Sequence, residues 1–350
     1  MVTIREVAKE SGFSSTTVSI VLNDAPIAQY IPLKTKTRIK QVAKRLRYRP
    51  NVFARSLRSK RSHTVGVFVL DITDPYCAHI LRGIEESLYH SSYLPILTDI
   101  QNDRGRFERY LELLLDRQVE GLITLANSIF LDIELLAALE RRNVPTVIIG
   151  REVKHAFMSS VVVDNEAGAR SALEHLLTLG HRRIAFIRGP KTLVDSSQRW
   201  KGIRAYAQEV ALHIDSRLVL DMADIYEPTS SFQCGYALTQ ELLKRRHSFT
   251  ALMAFDDMAA FGAIRALSDA GHKVPESCSV IGFDDVAPAA FYSPPLTTMR
   301  QPMEGLGSIG VKILLDAVNA SVEKKVFSPV HQKVAAELVV RKSTAPLRRS

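Results

Sequence analysis

From Val65 onward the chain keeps one rhythm: a short apolar run, an amphipathic stretch, then another apolar run. The runs VGVFVL (65–70), LPILTD (94–99), GLITLA (121–126), PTVIIG (145–150) and SVVVD (160–164) alternate with helical spacing at 77–91, 104–117 and 131–142. The beat then repeats: a helix at 166–179, RIAFI (183–187), a helix at 198–211, RLVLD (217–221), a helix at 233–246, ALMAF (251–255), a helix at 257–270 and SVIGF (279–283). Strands with near-continuous Val, Ile and Leu are buried on both faces, and parallel neighbours need a helical crossover, so this alternation predicts doubly wound parallel sheets. Two successive sets predict two similar lobes with a cleft between them. Ligands in such folds sit beyond the carboxyl ends of the strands.

The first sixth of the chain is of another kind. Residues 1–62 hold 14 Lys and Arg against 3 Asp and Glu, a net of +11, while residues 63–350 hold 32 against 34, a net of −2. Cations gathered in one small domain are the electrostatic footprint of a phosphate binder, because each one placed on the backbone releases a condensed counterion. Three short amphipathic helices are written there, in Ile4, Val7, Ala8, then Val18, Val21, Leu22, then Ile39, Val42, Ala43, Leu46, each set at i, i+3, i+4 spacing. Thr3 with Glu6 forms a capping box, and Ser14 caps the second helix after a turn at Gly12. Two helices joined by a glycine turn in a basic context describe a helix-turn-helix; a generic three-helix bundle with a basic surface is the plainer alternative. The core face of helix two is Val18, Val21 and Leu22, which leaves Ser15, Thr16, Thr17, Ser19 and Ile20 on the other side.

Between the two parts lies RPNVFARSLRSKR (49–61), where Pro50 can open a helix, Phe53, Ala54 and Leu57 fall at helical spacing, and Arg55, Arg58, Lys60 and Arg61 surround them. A helix this short is marginal in water, so it forms only against a partner; otherwise the stretch is a solvated basic linker.

The run TIREVAKESGFSSTTVSIVLN resembles the DNA reader of lactose-repressor (LacI/GalR) family regulators, and RPNxxARxL resembles their hinge. DITDPY, RxxG at 199–202, FDD at 255–257, GFDD at 282–285 and SPPLTTMRQP at 293–302 resemble the sensor core of the same family, which carries the resemblance over essentially the whole chain. It implies that positions 15, 16 and 20 read the major groove and that paired hinge helices enter the minor groove, where Leu57 wedges between base steps. The DNA-contacting set it suggests is Thr3, Ser14, Ser15, Thr16, Thr17, Ser19, Ile20 and Asn23 in the head, and Asn51, Ala54, Arg55, Leu57 and Arg58 in the hinge. Family members often have Arg or His at the position of Ile20; isoleucine instead packs on a thymine methyl. DAPIAQYIPL (24–33) is longer than the usual connection and has Pro32 where a capping Ser is common.

The strand ends carry Asp71, Asp74 and Tyr76, then Arg151, Arg199, Asp256 with Asp257, and Asp284 with Asp285. Any of them can be a helix cap or turn residue, and that plainer assignment is preferred for Asp74, Asp257 and Asp285. The resemblance assigns effector contact to Arg199, Asp256 and Asp284, and pocket lining to Tyr76 and Met303; Asp71 and Arg151 complete the candidate set. Gly150 stands where many relatives have an aspartate, so one common acceptor for sugar hydroxyls is absent. GLGSIG (305–310) matches a dinucleotide fingerprint but follows RQPME instead of an apolar strand, so close helix packing is the expected use of its glycines.

The remaining composition excludes several classes. Hydrophobic residues make up 46% of the chain, too many for disorder. No apolar run in the sequence approaches the roughly 18 residues of a membrane span, and MVTIREVAKE is charged where a secretory signal is apolar, so a cytoplasmic protein without a membrane partner is expected. Cys77, Cys234 and Cys278 are odd in number and far apart, which indicates neither a disulfide framework nor a zinc site. No nucleophile, base and orienting acid recur at catalytic spacing.

The expectation is a small all-α helix-turn-helix head plus an α/β core of two doubly wound parallel-sheet lobes of periplasmic-binding-protein type. The head spans 1–49, the hinge 50–61 and the core 62–350; lobe one takes about 62–164 and 296–326, lobe two about 165–295 and 327–343. The expected function is a repressor that binds a pseudo-palindromic double-stranded DNA operator as a homodimer, under a small-molecule effector such as a sugar or related metabolite, with no cofactor and no metal. A solute-binding protein and a nicotinamide enzyme using GLGSIG are the alternatives.

Overall fold

In the computed structural model the described residues are 2–23, 25–48, 61–101, 103–125, 141–153, 157–223, 230–245 and 247–347. The chain forms two units, Met1–Ser62 and His63–Ser350. In the first, α1 (Ile4–Ser11), α2 (Ser15–Leu22) and α3 (Leu33–Arg45) close over Val7, Ala8, Val18, Val21, Ile39, Val42 and Ala43. The capping box of Thr3 and Glu6 and the Ser14 cap are both present, and Gly12 turns the chain between α1 and α2 at φ +77. The long connection contains a 3-10 turn, Pro26–Tyr30, and α3 follows Pro32 with no side-chain cap.

The second unit holds two six-stranded sheets. The first orders its strands β2-β1-β3-β4-β5-β11, with β1 Thr64–Val69, β2 Leu94–Asp99, β3 Gly121–Leu125, β4 Thr146–Ile149, β5 Met158–Val163 and β11 His331–Val334, all parallel. The second repeats the order as β7-β6-β8-β9-β10-β12, with β6 Ile184–Arg188, β7 Val219–Asp221, β8 Ala251–Ala254, β9 Ser279–Asp284, β10 Thr297–Arg300 and β12 Glu337–Val339; only β12 runs antiparallel to its neighbour. Strand order reverses next to β1 and next to β6, which opens a crevice at the carboxyl ends of those strands in each lobe. The helices are α4 (Pro75–His90), α5 (Arg104–Asp116), α6 (Asn165–Thr178), α7 (Val194–Glu209), α8 (Ser230–Lys244), α9 (Asp257–Asp269) and α10 (Met303–Val322). The helix expected at 131–142 falls almost entirely outside the described residues, as does the hinge.

Three expectations need correction. TTMR (297–300) was placed with lobe one, but β10 pairs with β9, so the chain leaves lobe two only after Arg300. The stretch 327–343 was placed with lobe two, but its first half, β11, pairs with β5 of lobe one and only β12 joins lobe two. A short edge strand carries no pattern that says which sheet it extends. RLVLD contributes a strand of three residues only, because Asp215 caps a 3-10 turn at Ser216–Leu218. In addition α10, at 20 residues, is long and apolar enough to cross a membrane by length and composition alone, which the sequence reading had not found. Burial of Leu306, Val311, Leu314 and Val318 in the lobe-one core accounts for that composition. Gly307 and Gly310 of GLGSIG serve this packing, since a Cβ on Gly307 would lie 2.3 Å from the Ile80 carbonyl oxygen of α4 and one on Gly310 would lie 2.7 Å from Ile149 Cδ1 of β4, whereas Gly305 makes no such close approach.

Candidate DNA interface and effector cleft

On the head, Val18 and Val21 turn α2 inward, leaving Ser15 and Thr16 exposed and Thr17, Ser19 and Ile20 half-buried. Several of the expected DNA contacts already hold helix ends. The Thr3 amide donates to Glu6 Oε2 at 2.6 Å, Ser14 Oγ accepts from the Thr17 amide at 3.1 Å, and Asn23 Nδ2 donates to the Ser19 carbonyl at 2.8 Å. These bonds satisfy the orphan groups of α1 and α2. Ser15 and Thr16 are therefore the most exposed of the set on α2, with Ile20 half-buried one turn further along. Asn51, Ala54, Arg55, Leu57 and Arg58 lie outside the described residues.

In the core, the polar site grows from the junction of α6 and α7. A Cβ on Gly202 would stand 2.2 Å from the Glu166 carbonyl oxygen, so only glycine lets α7 lie this close to α6. That approach brings Arg199, three residues earlier, against Asn165. Arg199 Nε donates to Asn165 Oδ1 at 2.8 Å and one terminal nitrogen donates to the Phe255 carbonyl at 2.5 Å. Its guanidinium lies over the Phe283 ring at 3.7 Å and the Phe255 ring at 4.7 Å, and its other terminal nitrogen stands 3.7 Å from Asp284 Oδ1. Asn165 Nδ2 in turn donates to buried Asp195 at 3.0 Å. The result is a rigid cation at the carboxyl ends of β6, β8 and β9, positioned from two helices and two strands. A small recess of about 20 Å³ opens beside it, with Arg188, Ser196, Trp200, Phe255 and Phe283 among its walls.

Asp284 ends β9 at φ +124 and Asp285 follows at φ +60, two successive non-glycine residues on the disfavoured side of the backbone map. Strain of this kind persists only where surroundings over-determine it, and it gathers at binding sites. Here Asp285 is held by Arg300 at 2.7 Å and Arg341 at 2.6 Å, and Asp284 Oδ1 accepts from Gln301 Nε2 at 2.5 Å. Burial pushes the Asp284 carboxyl well above the usual range; Arg199 opposes that rise, while Asp257 and Asp256 add to it. Gln301 is buried, and its Oε1 has no hydrogen-bond partner among the described residues. Such a buried acceptor waits for a donor.

Lobe one supplies the opposing wall. Tyr76, in the first turn of α4, and buried Met303, which opens α10, belong to the same apolar cluster. The Tyr76 phenol is pushed well up, first by burial and then by the negative charges of Asp195 and Asp284 across the cleft. Tyr76, Arg199, Asp284 and Met303 are thus brought to one place.

The other candidates are engaged in other ways. Asp71 Oδ1 accepts from the Thr73 amide at 2.7 Å and its hydroxyl at 2.6 Å, a local turn. Asp256 caps α9 through the Ala259 amide at 2.6 Å and accepts from the Ser231 hydroxyl at 2.7 Å, while burial pushes its carboxyl up. Arg151 follows Gly150 (φ +97) at the end of β4, half-buried. Asp74 caps α4, so the plainer assignment holds for it, but Asp257 is no cap or turn residue: buried at the start of α9, it accepts from the Val286 amide and the Thr298 hydroxyl and ties α9 to the segments after β9 and in β10. Burial pushes Asp257 up to about 8. Sequence reasoning missed Asn165, Asp195 and Gln301. Asp195 could have been found, since it stands four residues before Arg199 on one helix face.

The profile of the bacterial regulatory proteins of the lacI family matches residues 3–51, and that of the periplasmic binding protein-like domain matches 173–344. An HTH-type transcriptional repressor PurR of Haemophilus influenzae strain PittEE is 33% identical over 348 residues, 98% of each chain. This chain belongs to the lacI family of bacterial regulatory proteins. The lac repressor dimer bound to operator and the anti-inducer ONPF is a structural relative of this lacI-family chain at 27% identity, with a TM-score of 0.84 over 98% of this chain and 99% of that one. The transcriptional regulator CelR in complex with cellobiose matches at 29% identity and a TM-score of 0.71, over 98% of this chain and all of that one. A ribose-bound LacI-family regulator from Enterococcus faecium matches at 30% and 0.71, over 81% of this chain. This lacI-family protein is a DNA-binding transcription regulator with a two-lobed sensor core.

Proposed function

We propose that the protein is a cytoplasmic repressor that binds a pseudo-palindromic operator as a homodimer and is set by a neutral, polyhydroxylated effector held between its lobes, without catalysis. The observation that carries the effector reading is the convergence of Arg199 and Asp284 from lobe two on Tyr76 and Met303 from lobe one. Buried Asp195, partly exposed Asp284 and Gln301 Oε1, which has no partner among the described residues, accept hydrogen bonds from ligand hydroxyls, while Arg199 donates. Asp195, Asp256 and Asp284 gather around Arg199, an acceptor-rich surrounding that suits a ligand rich in hydroxyl donors. The cellobiose and ribose held by the related regulators fit that chemistry.

Dimerisation has its own support. Strand β2 stands at the edge of its sheet and exposes Leu94 and Leu97, with Tyr89 of α4 exposed beside them. An apolar edge strand is a pairing surface, and a second copy covers it. Two readers related by a twofold axis then require a twofold DNA site. The test is a thermal-shift screen of the full chain against sugars, sugar phosphates, nucleosides and purines, followed by operator titration with any hit. A hit among neutral sugars that changes operator affinity supports the proposal; stabilisation by sugar phosphates alone refutes the effector class.

A further inference from the structure

The connection between α2 and α3 makes an outward apolar ridge on the head. In a 3-10 turn, side chains three residues apart eclipse one another. Within and just beyond Pro26–Tyr30, one such row, Ala28 and Ile31, faces the head's core. The neighbouring row, Ile27 and Tyr30, is 57% and 79% exposed, and Leu33, which opens α3 after the extended Ile31, is 78% exposed. Large apolar groups standing together in water cost free energy unless a partner covers them. The surroundings identify the partner's charge. No acidic residue occurs from Ala25 to Tyr48, whereas Lys34, Lys36, Arg38, Lys40, Lys44, Arg45 and Arg47 do. Lys34 and Arg38, both exposed, stand one turn apart on α3, whose first turn lacks both an acidic residue and a side-chain cap. Cations at the positive end of a helix oppose its dipole, an arrangement that an anionic partner relieves.

We propose that this ridge docks on the sugar–phosphate backbone of DNA flanking the half-site read by α2, with Ile27, Tyr30 and Leu33 packed on deoxyribose and Lys34 and Arg38 paired with phosphates. The proposal rests on the head being a DNA reader and extends its footprint. Geometry supports the placement: α2 has eight residues, so it is about 12 Å long, about the width of the major groove. The Ala25 amide donates to the Ile20 carbonyl at 3.1 Å, tying the start of the ridge to the C-terminal end of that helix. A chain leaving the reader at this point meets the groove wall.

The experiment first selects operators from a random pool with the full chain. It then compares duplexes that end at the selected site with duplexes extended by about one helical turn on each side. The expected result is that extension raises wild-type affinity about tenfold and that the double variant Ile27→Ser, Tyr30→Ser loses this gain while selecting the same half-site. For Lys34→Gln with Arg38→Gln, which removes four cations from the homodimer, the log–log salt slope becomes shallower by about 3.6, so the affinity ratio of wild type to variant falls about 150-fold between 50 and 200 mM salt. Because these side chains are exposed, all variants keep the wild-type melting temperature. A selected site with no gain on extension, or a variant that keeps the gain, overturns the ridge alone; so does a variant whose only change is in self-association or in binding another protein. If the wild type selects no site, the DNA-reader assignment falls and the ridge with it.

Discussion

Replacing Asp284 by Asn separates binding from stability because the same burial acts on both in opposite directions. The substitution keeps the shape and, like Asp, tolerates a positive φ, which Ala does not. Gln301 Nε2 can still donate to the amide oxygen, and Arg199 keeps Asn165, the Phe255 carbonyl and two aromatic faces. The free protein thus loses little and is relieved of a carboxylate that burial disfavours. A carboxyl whose pKa is raised by folding stabilises the fold below its unfolded value near 3.8 and loses that contribution as pH rises through the folded value. The variant should therefore gain on the wild type as pH climbs above about 4, and near neutrality it should melt within about 2 °C of the wild type or above it. Effector binding should move the other way. A ligand hydroxyl that loses its carboxyl acceptor costs about 1 to 3 kcal/mol, roughly 5- to 150-fold in the effector midpoint. Operator titrations with and without effector, beside thermal melts from pH 4 to 8, measure both quantities. An unchanged effector midpoint would refute the placement of Asp284 on the ligand, and a fall of several degrees in melting temperature would mark it as a structural strand end.

Ile20→Arg should shift the selected half-site toward guanine at one base pair by about 1 to 3 kcal/mol, read by selection from a random pool; an identical half-site would show that residue 20 does not face bases. Gly202→Ala should cost about 1 to 3 kcal/mol in urea unfolding, because its methyl meets the Glu166 carbonyl, and should weaken effector binding as Arg199 is displaced with α7. His181, which bonds Thr250 and the Ala345 carbonyl, and His175, which bonds Thr344, are both lowered by burial and hold the C-terminal segment. A base with a depressed pKa stays neutral in the fold while the unfolded chain takes up protons, so stability should fall as pH drops below about 6.5, and His181→Gln should flatten that fall in melts from pH 7.5 to 5.

The parts of the molecule that were legible in the sequence are those whose pattern is local. The strand and helix beat predicts both sheets, Thr3 with Glu6 predicts a cap that forms as expected, and RxxG pointed to Arg199 through its resemblance to the family's sensor core. What escaped depends on pairing across the chain. TTMR looks the same whether it extends one sheet or the other, and only its hydrogen bonds to β9 decide. Asn165 and Asp195 resemble ordinary helix-start residues until the approach of α6 to α7 joins them. A period of three over five residues is too brief to be seen beside the 3.6-residue helices, so the ridge at Ile27 and Tyr30 was read only as extra length.

The polypeptide passes between the lobes at Asp164, at 301–302 and again at 335–336, each time within a residue or two of a sheet's last strands. Three short tethers resist sliding and separation but leave rotation about the line they define, so a ligand in the cleft has essentially one angle to set. Displacement then grows with distance from that line, like the tip of a pair of tongs. Whether a ligand releases DNA or secures it is decided by which angle the DNA-bound form requires, and a substitution at the tethers could reverse the sign of regulation without altering a single ligand contact.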